Sequence, residues 1–391
     1  MISFEEALGI ILDTDYLVGS ERVGLANSLH RVLAEDILSD IDMPPFHKSA
    51  VDGYACRRAD LGNDLHVIEI IPAGKAPEKV IGPNQCAKIM TGAPMPEGAD
   101  CVIMVEDVKE VAPHVIKYGK EKVKENICFA GEDIRKEDLV LCRGTRIEPQ
   151  HIAVLATAGC VNPLVYRKVR VAVISTGDEI IEPNETPQYA QIRNSNAYQL
   201  MAQIVKFGGI PDYCGIALDT MESTRKKITR ALDGNEIVLL TGGVSMGDYD
   251  HVPAVFRELD IDIKFKSIAM QPGRPTLFGM RQRQFIFGLP GNPVSGFLQF
   301  ELLVKPLLSK ISGHEFNPMA IRLPMGRDYQ RKKSERLSWL PVRILETGEV
   351  LPLEYHGSAH INSLVEADGF ISMAIGQTEL RKGDIVHVRP I

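Results

Sequence analysis

The chain has 391 residues, 45% of them hydrophobic and 24% charged, enough apolar material for two or three domains, which excludes a disordered chain. Its formal net charge is −7, from 51 acidic and 44 basic residues, whereas a nucleic-acid binder needs a basic surplus or stripe to meet phosphate. Nucleic acid is therefore not an expected partner, and the densest basic run, Arg331-Lys332-Lys333, reads as a solvated loop.

The opening segment reads as helical: Ser3 and Glu6 form a capping box, and Ala7, Leu8, Ile11 and Leu12 recur at helical spacing. A second amphipathic stretch, residues 25–37, predicts another helix through Leu29, Val32 and Leu33, stopped by the proline pair in Asp42-Met43-Pro44-Pro45-Phe46. From about Ser49 to Asp133 the pattern changes to short β-like runs at 66–71, 87–90 and 101–105, separated by turns such as Gly92-Ala93-Pro94. A helix is expected again at 150–158. The middle carries three continuous apolar runs, 169–175 (VRVAVIS), 237–241 (IVLLT) and 284–289 (QFIFGL), as strands buried on both faces require. Helical patterns at 197–207, 221–232 and 294–311 alternate with them, which predicts a right-handed, largely parallel α/β sheet. The tail, from about Leu337, is again β-like, punctuated by Gly348, Gly357, Gly369, Gly376 and Gly383.

The expected fold is thus multidomain α+β. Residues 1–45 and 134–168 form a helical region, 46–133 an inserted β domain, 169–314 the α/β domain and 315–391 a C-terminal β domain. Seven cysteines, Cys56, Cys86, Cys101, Cys128, Cys142, Cys160 and Cys214, are scattered and never spaced C-x-x-C, against both a disulfide framework and a structural zinc site. Cys128 and Cys142 flank a functional-looking segment but are assigned to packing. The start shows no basic leader, and no apolar run reaches the roughly 20 residues of a membrane span. A cytoplasmic protein with no membrane partner is expected.

Each buried strand ends in a tight polar turn: Ser175-Thr176-Gly177-Asp178-Glu179, Thr241-Gly242-Gly243-Val244-Ser245 and Pro290-Gly291-Asn292-Pro293-Val294-Ser295. In a parallel sheet these turns share the carboxyl edge, where ligands bind. Glycines admit close backbone approach, and the N–H groups that open each following helix favour anions. Asn292 with Pro293 is a helix-start signature. One such turn is ordinary in an α/β domain; three at one edge, each with Ser, Thr or Asn, point to a phosphate or pyrophosphate site. None fits the P-loop or dinucleotide fingerprint.

These turns resemble the hallmark segments of the family of molybdenum-cofactor enzymes that includes gephyrin. Ser49-Ala50-Val51-Asp52-Gly53-Tyr54-Ala55, Ile89-Met90-Thr91-Gly92-Ala93-Pro94-Met95-Pro96 and Gly131-Glu132-Asp133-Ile134 narrow the resemblance to its molybdenum-inserting branch, and it runs in order along nearly the whole chain. The resemblance implies an enzyme that takes adenylated molybdopterin and molybdate, assisted by Mg²⁺, and releases AMP. It implies a homodimer whose site is shared between subunits, working beside the molybdopterin adenylyltransferase and other proteins of cofactor biosynthesis.

On the same ground Asp52, Asp133, Glu179, Asp250 and Arg274 are the catalytic candidates, and Glu179, Asp219 and Asp250 the metal candidates. Substrate binding is assigned to Thr91, to Ser175, Thr176, Gly177 and Asp178, and to Ser195 and Asn196. It is also assigned to Thr241, Gly242, Gly243 and Ser245, to Pro290, Gly291, Asn292, Pro293 and Ser295, and to Arg336 and Ser363. Bland roles compete with several of these. Asp219 and Asp250 each precede a helix and could serve only as N-caps, and Asp52 before Gly53 could be a turn former. Glu179, which follows a strand-end turn at the binding edge, has the firmest case. In Met270-Gln271-Pro272-Gly273-Arg274-Pro275 the family often carries lysine where Gln271 or Arg274 stands; Arg274 keeps a two-donor cation, whereas Gln271 is neutral. His356 and His360 enclose Gly357 and read as β, so no metal pair is expected there. Two rival readings are adenylation of molybdopterin by the same central fold and a gephyrin-like scaffold. The segments around Asp52 and Thr91 weigh against the first, and retention of every acidic position against the second.

Overall fold

The structure is a computed structural model that describes residues 1–120, 122–243, 251–354, 357 and 359–391. The three apolar runs become the centre of a six-stranded sheet. Its order is Ile210–Ala217, Arg170–Thr176, Ile237–Thr241, Gln284–Leu289, Pro275–Arg281 and Asp262–Ser267. The first four strands are parallel, Pro275–Arg281 alone runs antiparallel to them, and Asp262–Ser267 runs antiparallel to it, so the sheet is largely parallel as expected. Successive side chains of a strand point to opposite faces, and here both faces are covered. Val171, Val173, Leu239, Phe285 and Phe287 pack with the helix Ser195–Lys206 and the helical run from Pro293 to Ile311. Ala172, Ile174, Val238, Leu240 and Ile286 pack instead with the helices Met221–Leu232 and Val252–Glu258. The run expected as one helix over 294–311 is continuous but widens into π-type turns at Phe300–Val304.

The helix expected over residues 25–37 does not form. Leu25–Asn27 makes a single 3₁₀ turn, after which the chain runs extended. Val32 bridges Arg146, Leu33 bridges Val165, and Ile37–Leu38 pairs with Leu139–Leu141. The apolar spacing that mimics a helix serves another purpose, because Leu33 and Ile37 bury beside Ile147, Leu155 and Val165. The helices of this region are Phe4–Leu12, capped by Ser3, and Pro149–Thr157.

The inserted segment is a six-stranded, mostly antiparallel sheet in the order Cys101–Met104, Gly53–Cys56, Gln85–Ile89, Asp64–Ile71, Val115–Tyr118, Val108–Ala112. In the third sheet Met270–Gln271 pairs with Leu337–Ile344, so the Gln271 segment stitches the α/β part to the C-terminal part. All seven cysteines are free. Among the described residues no helix is long and apolar enough to cross a membrane.

Candidate active site

The strand-end turns converge because their glycines adopt backbone conformations that other residues resist. Gly242 and Gly243 have φ of +93° and +61°, and a Cβ on Gly242 would stand 2.6 Å from the Thr176 carbonyl oxygen. The second turn therefore lies directly against the first, and Gly291 of the third packs over the Gly242 Cα. Between them opens a cleft of about 630 Å³. Its walls carry Ser175, Thr176, Gly177 and Glu179 of the first turn, Thr241, Gly242 and Gly243 of the second, and Pro290, Gly291, Asn292 and Pro293 of the third. Ser195, Asn196 and Asp219, also expected, line it too.

Two helices begin at this cleft. Asn194 caps the helix Ser195–Lys206, its Oδ1 accepting the Ala197 N–H at 3.3 Å. The helix that starts at Pro293 has Asn292 at its N-cap without a side-chain capping bond. First-turn N–H groups and the positive end of the helix dipole favour an anion at a helix start, more so at Pro293, since Asn194 already takes the Ala197 N–H at the other. The Asn196 amide ties two turns together, Nδ2 donating to Thr241 Oγ1 at 2.8 Å and to the Gly291 carbonyl at 2.7 Å. Its Oδ1 and the hydroxyl of Thr176 are buried with no hydrogen-bond partner among the described residues. Buried polar atoms are nearly always paired, so two orphans on the wall of one cleft mark where a ligand completes the site.

The acidic residues separate into distinct roles. The cap of Met221–Leu232 is Thr220, whose Oγ1 accepts the Ser223 N–H at 3.2 Å. Asp219 is thereby released from capping and faces the cleft. Asp178 does not line the cleft; its Oδ1 accepts the Asp219 N–H at 3.0 Å and holds that turn. Glu179 is exposed, and its carboxylate lies back over Gly177. Two carboxylates on adjacent turns, beside a helix start that favours anions, form a donor set that suits a hard divalent cation completing its shell with substrate oxygens. Among the described residues no group of three His, Cys, Asp or Glu is gathered as a self-sufficient metal site. Asp250, Ser245 and His356 lie outside the described residues.

Other candidates lie away from this cleft. Asp52 Oδ1 accepts both the Thr91 N–H, at 2.6 Å, and the Thr91 hydroxyl, at 2.7 Å. That pairing holds the Asp52 carboxyl below the usual carboxylate range, the backbone bond contributing most and the hydroxyl next. Asp133 is exposed on the neighbouring loop, with its N–H on the Met43 carbonyl. Arg274 is exposed, and its neighbour Pro275 reaches the wall instead. The Arg336 carbonyl accepts from Arg331, and the buried Ser363 hydroxyl donates to the His360 carbonyl at 2.7 Å. Ser295 is buried at 2% exposure and outside the wall, because the third helical position turns its side chain inward. An aspartate there would bury an unpaired charge and test folding rather than anion binding.

The wall also holds residues that sequence reasoning missed: Ile180, Ile192, Arg193, Asn194, Pro275 and Ala359. Arg193 is the only cation among its described residues. Asn194 carried a readable signal, an Asn directly before a helical pattern.

One consequence for Asp52 is testable. A carboxyl with a depressed folded-state pKa adds stability above its unfolded pKa and loses it as pH falls through the folded value. Thr91→Val removes the hydroxyl donor and keeps the backbone one. The Asp52 pKa is expected to rise part of the way to its usual range, read from the carboxyl carbon in an NMR titration. No rise would mean the hydroxyl bond is absent in solution.

Three family descriptions match successive parts of the chain: "MoeA N-terminal region (domain I and II)" over residues 2–159, "Probable molybdopterin binding domain" over 172–310, and "MoeA C-terminal region (domain IV)" over 322–391. The chain is 34% identical to the molybdopterin molybdenumtransferase of Staphylococcus epidermidis, covering 99% of this chain and 95% of that one. It is 33% identical to the Bacillus subtilis protein of the same name, covering 94% and 89%. A solved molybdopterin biosynthesis moeA protein from Pyrococcus horikoshii is 34% identical with a TM-score of 0.84, over 100% of this chain and 99% of that one.

Proposed function

The chain belongs to the molybdopterin molybdenumtransferase family, and on that premise we propose that its carboxyl-edge cleft holds adenylated molybdopterin for molybdenum insertion. It is a transferase of molybdenum cofactor biosynthesis. The observation that carries the reading is one cleft in which two helix starts, two carboxylates and two buried unpaired polar atoms converge. The helix start at Pro293 holds substrate phosphates, and the glycine turns let the backbone approach them. Glu179 and Asp219, with Asp250, would hold Mg²⁺, which when bound neutralises phosphate charge. Water adds to one phosphorus of the pyrophosphate link, the bridging P–O bond breaks, and AMP leaves with the bridging oxygen or the added one. The two dithiolene thiols of the released molybdopterin then bond to molybdenum, and one molybdate oxygen leaves with their two protons as water, molybdenum keeping its oxidation state.

Asp52, Thr91, Asp133, Arg274, Arg336 and Ser363 line no part of this cleft among the described residues, which favours a second subunit bringing some of them to it. We therefore read the active form as a cytoplasmic homodimer, supplied by an adenylating enzyme that makes its substrate. The proposed division is 1–45 with 134–168, 46–133, 169–314 and 315–391. Family matches outside the central part, 2–159 and 322–391, weigh against the adenylating branch. The direct test supplies adenylated molybdopterin, molybdate and Mg²⁺ and follows AMP release together with cofactor formation. Both products are expected, and both should be lost when Mg²⁺ is chelated. Cofactor formation without AMP would overturn the adenylate reading.

A further inference from the structure

Beneath the first turn runs a chain of hydrogen bonds that the proposed reaction does not use. Ser175 Oγ lies 2.8 Å from Asn194 Oδ1, Asn194 Nδ2 lies 2.8 Å from the Tyr213 hydroxyl, and that hydroxyl lies 2.5 Å from Glu182 Oε1. Tyr198 donates to the other Glu182 oxygen at 3.1 Å. Ser175 and Asn194 are both at 2% exposure, so the bond between them has no competition from bulk water.

The direction of every proton in this chain is fixed by its surroundings. Asn194 Oδ1 faces the Ala197 N–H, which can only donate, so the amide cannot be flipped. Nδ2 must then donate to Tyr213, and Tyr213 must donate onward to the carboxylate. Burial first, and the bond to Glu182 second, push the Tyr213 pKa well above its usual value, so the phenol keeps its proton at any working pH. At the other end Ser175 faces an oxygen and has to give its hydrogen to it. What Ser175 has left for the cleft is a lone pair. Asn196 is fixed in the same sense: its Nδ2 is committed to Thr241 and the Gly291 carbonyl, and its buried Oδ1 has only lone pairs to offer.

We propose that Glu182 and Tyr213 are positioning residues that hold Ser175 as a hydrogen-bond acceptor. The Ser175 and Asn196 part of the cleft then takes the donor-bearing pterin ring, and the phosphates go to the Gly242-Gly243 turn and the helix start at Pro293. This deepens the reading of the cleft as a molybdopterin site and rests on it. An anion placed against Ser175 and Asn196 would meet two lone pairs, whereas the ring N–H and amino groups of a pterin would meet two partners. Specificity arises because a ligand without those donors leaves two buried acceptors unpaired.

The test uses the full chain with two probes in titration calorimetry, molybdopterin for the whole cleft and inorganic pyrophosphate for its phosphate end. Tyr213→Phe keeps the ring beside Tyr198, at a centroid distance of 5.9 Å, and removes only the hydroxyl. It is expected to weaken molybdopterin by about tenfold, one reinforced hydrogen bond, and to leave pyrophosphate unchanged. Ser175→Ala should show the same split. Glu182→Gln keeps an acceptor for Tyr213 and should recover most of the affinity that Glu182→Ala loses. Equal losses for both probes would make Tyr213 merely structural and overturn the proposal, as would unchanged molybdopterin affinity in Tyr213→Phe and Ser175→Ala. Wild-type protein that binds molybdopterin but not pyrophosphate would overturn the assignment of the phosphate end. Wild-type protein that binds no molybdopterin would remove the parent reading itself.

Discussion

Glu179→Gln is expected to lower kcat for AMP release by about a hundredfold or more, the usual size of losing one group that stabilises charge in a transition state. Glutamine keeps the shape of the side chain and one acceptor oxygen, so the loss isolates the charge. The side chain is exposed over Gly177, and exposed substitutions of this kind change stability by only about 0.5 kcal/mol, so the thermal midpoint should hardly move. A cation held by Glu179 and Asp219 would be held less tightly in the variant. Its activity should therefore need more Mg²⁺ to saturate, and Asp219→Asn should show the same dependence. A role in orienting water would lower kcat without moving the Mg²⁺ requirement. Normal kcat with unchanged substrate affinity would remove Glu179 from the mechanism.

The parts of this molecule that were legible in the sequence are those whose physics is local. Residues 237–241 and 284–289 are buried along almost their whole length, and continuous apolar runs announce that. The edge strands Ile210–Ala217 and Asp262–Ser267 are half-buried and carry Asp212, Tyr213 and Lys264, so no run betrays them. Residues 25–37 misled because apolar spacing does not say whether backbone partners come from the next turn or from residues more than a hundred positions away. The cleft turns were readable through glycines that must adopt positive φ, and Asp219 became interpretable once Thr220 was seen to take the cap. The burial of the Ser295 side chain was not readable, because sequence adjacency to Asn292 does not give the direction in which a helix turns its third side chain. The Ser175–Asn194–Tyr213–Glu182 chain was invisible for a different reason. Its members are unremarkable singly, and only the folded sheet and the helix at Ser195 bring them together.

The remaining large effect concerns the separation between Asp52 and the cleft. Asp52 and Thr91 are bonded to each other on the inserted sheet, Glu179 lies at the carboxyl edge of the α/β sheet, and the two sets share no wall of the cleft. On the homodimer reading proposed above, the inserted sheet of one subunit serves the cleft of the other, so that both sets act on one substrate. A two-fold dimer then contains two equivalent composite sites. An inactive Asp52→Asn chain mixed with an inactive Glu179→Gln chain makes a decisive comparison. In each mixed dimer one site collects both lesions and the other collects neither. With equal amounts and free exchange roughly half the dimers are mixed, so about a quarter of all sites should be intact. AMP release should rise on mixing to about that fraction of the unmodified rate, and only after subunits have had time to exchange. Should mass spectrometry show exchanged dimers while activity stays at the level of the separate variants, Asp52 and Glu179 act within one chain.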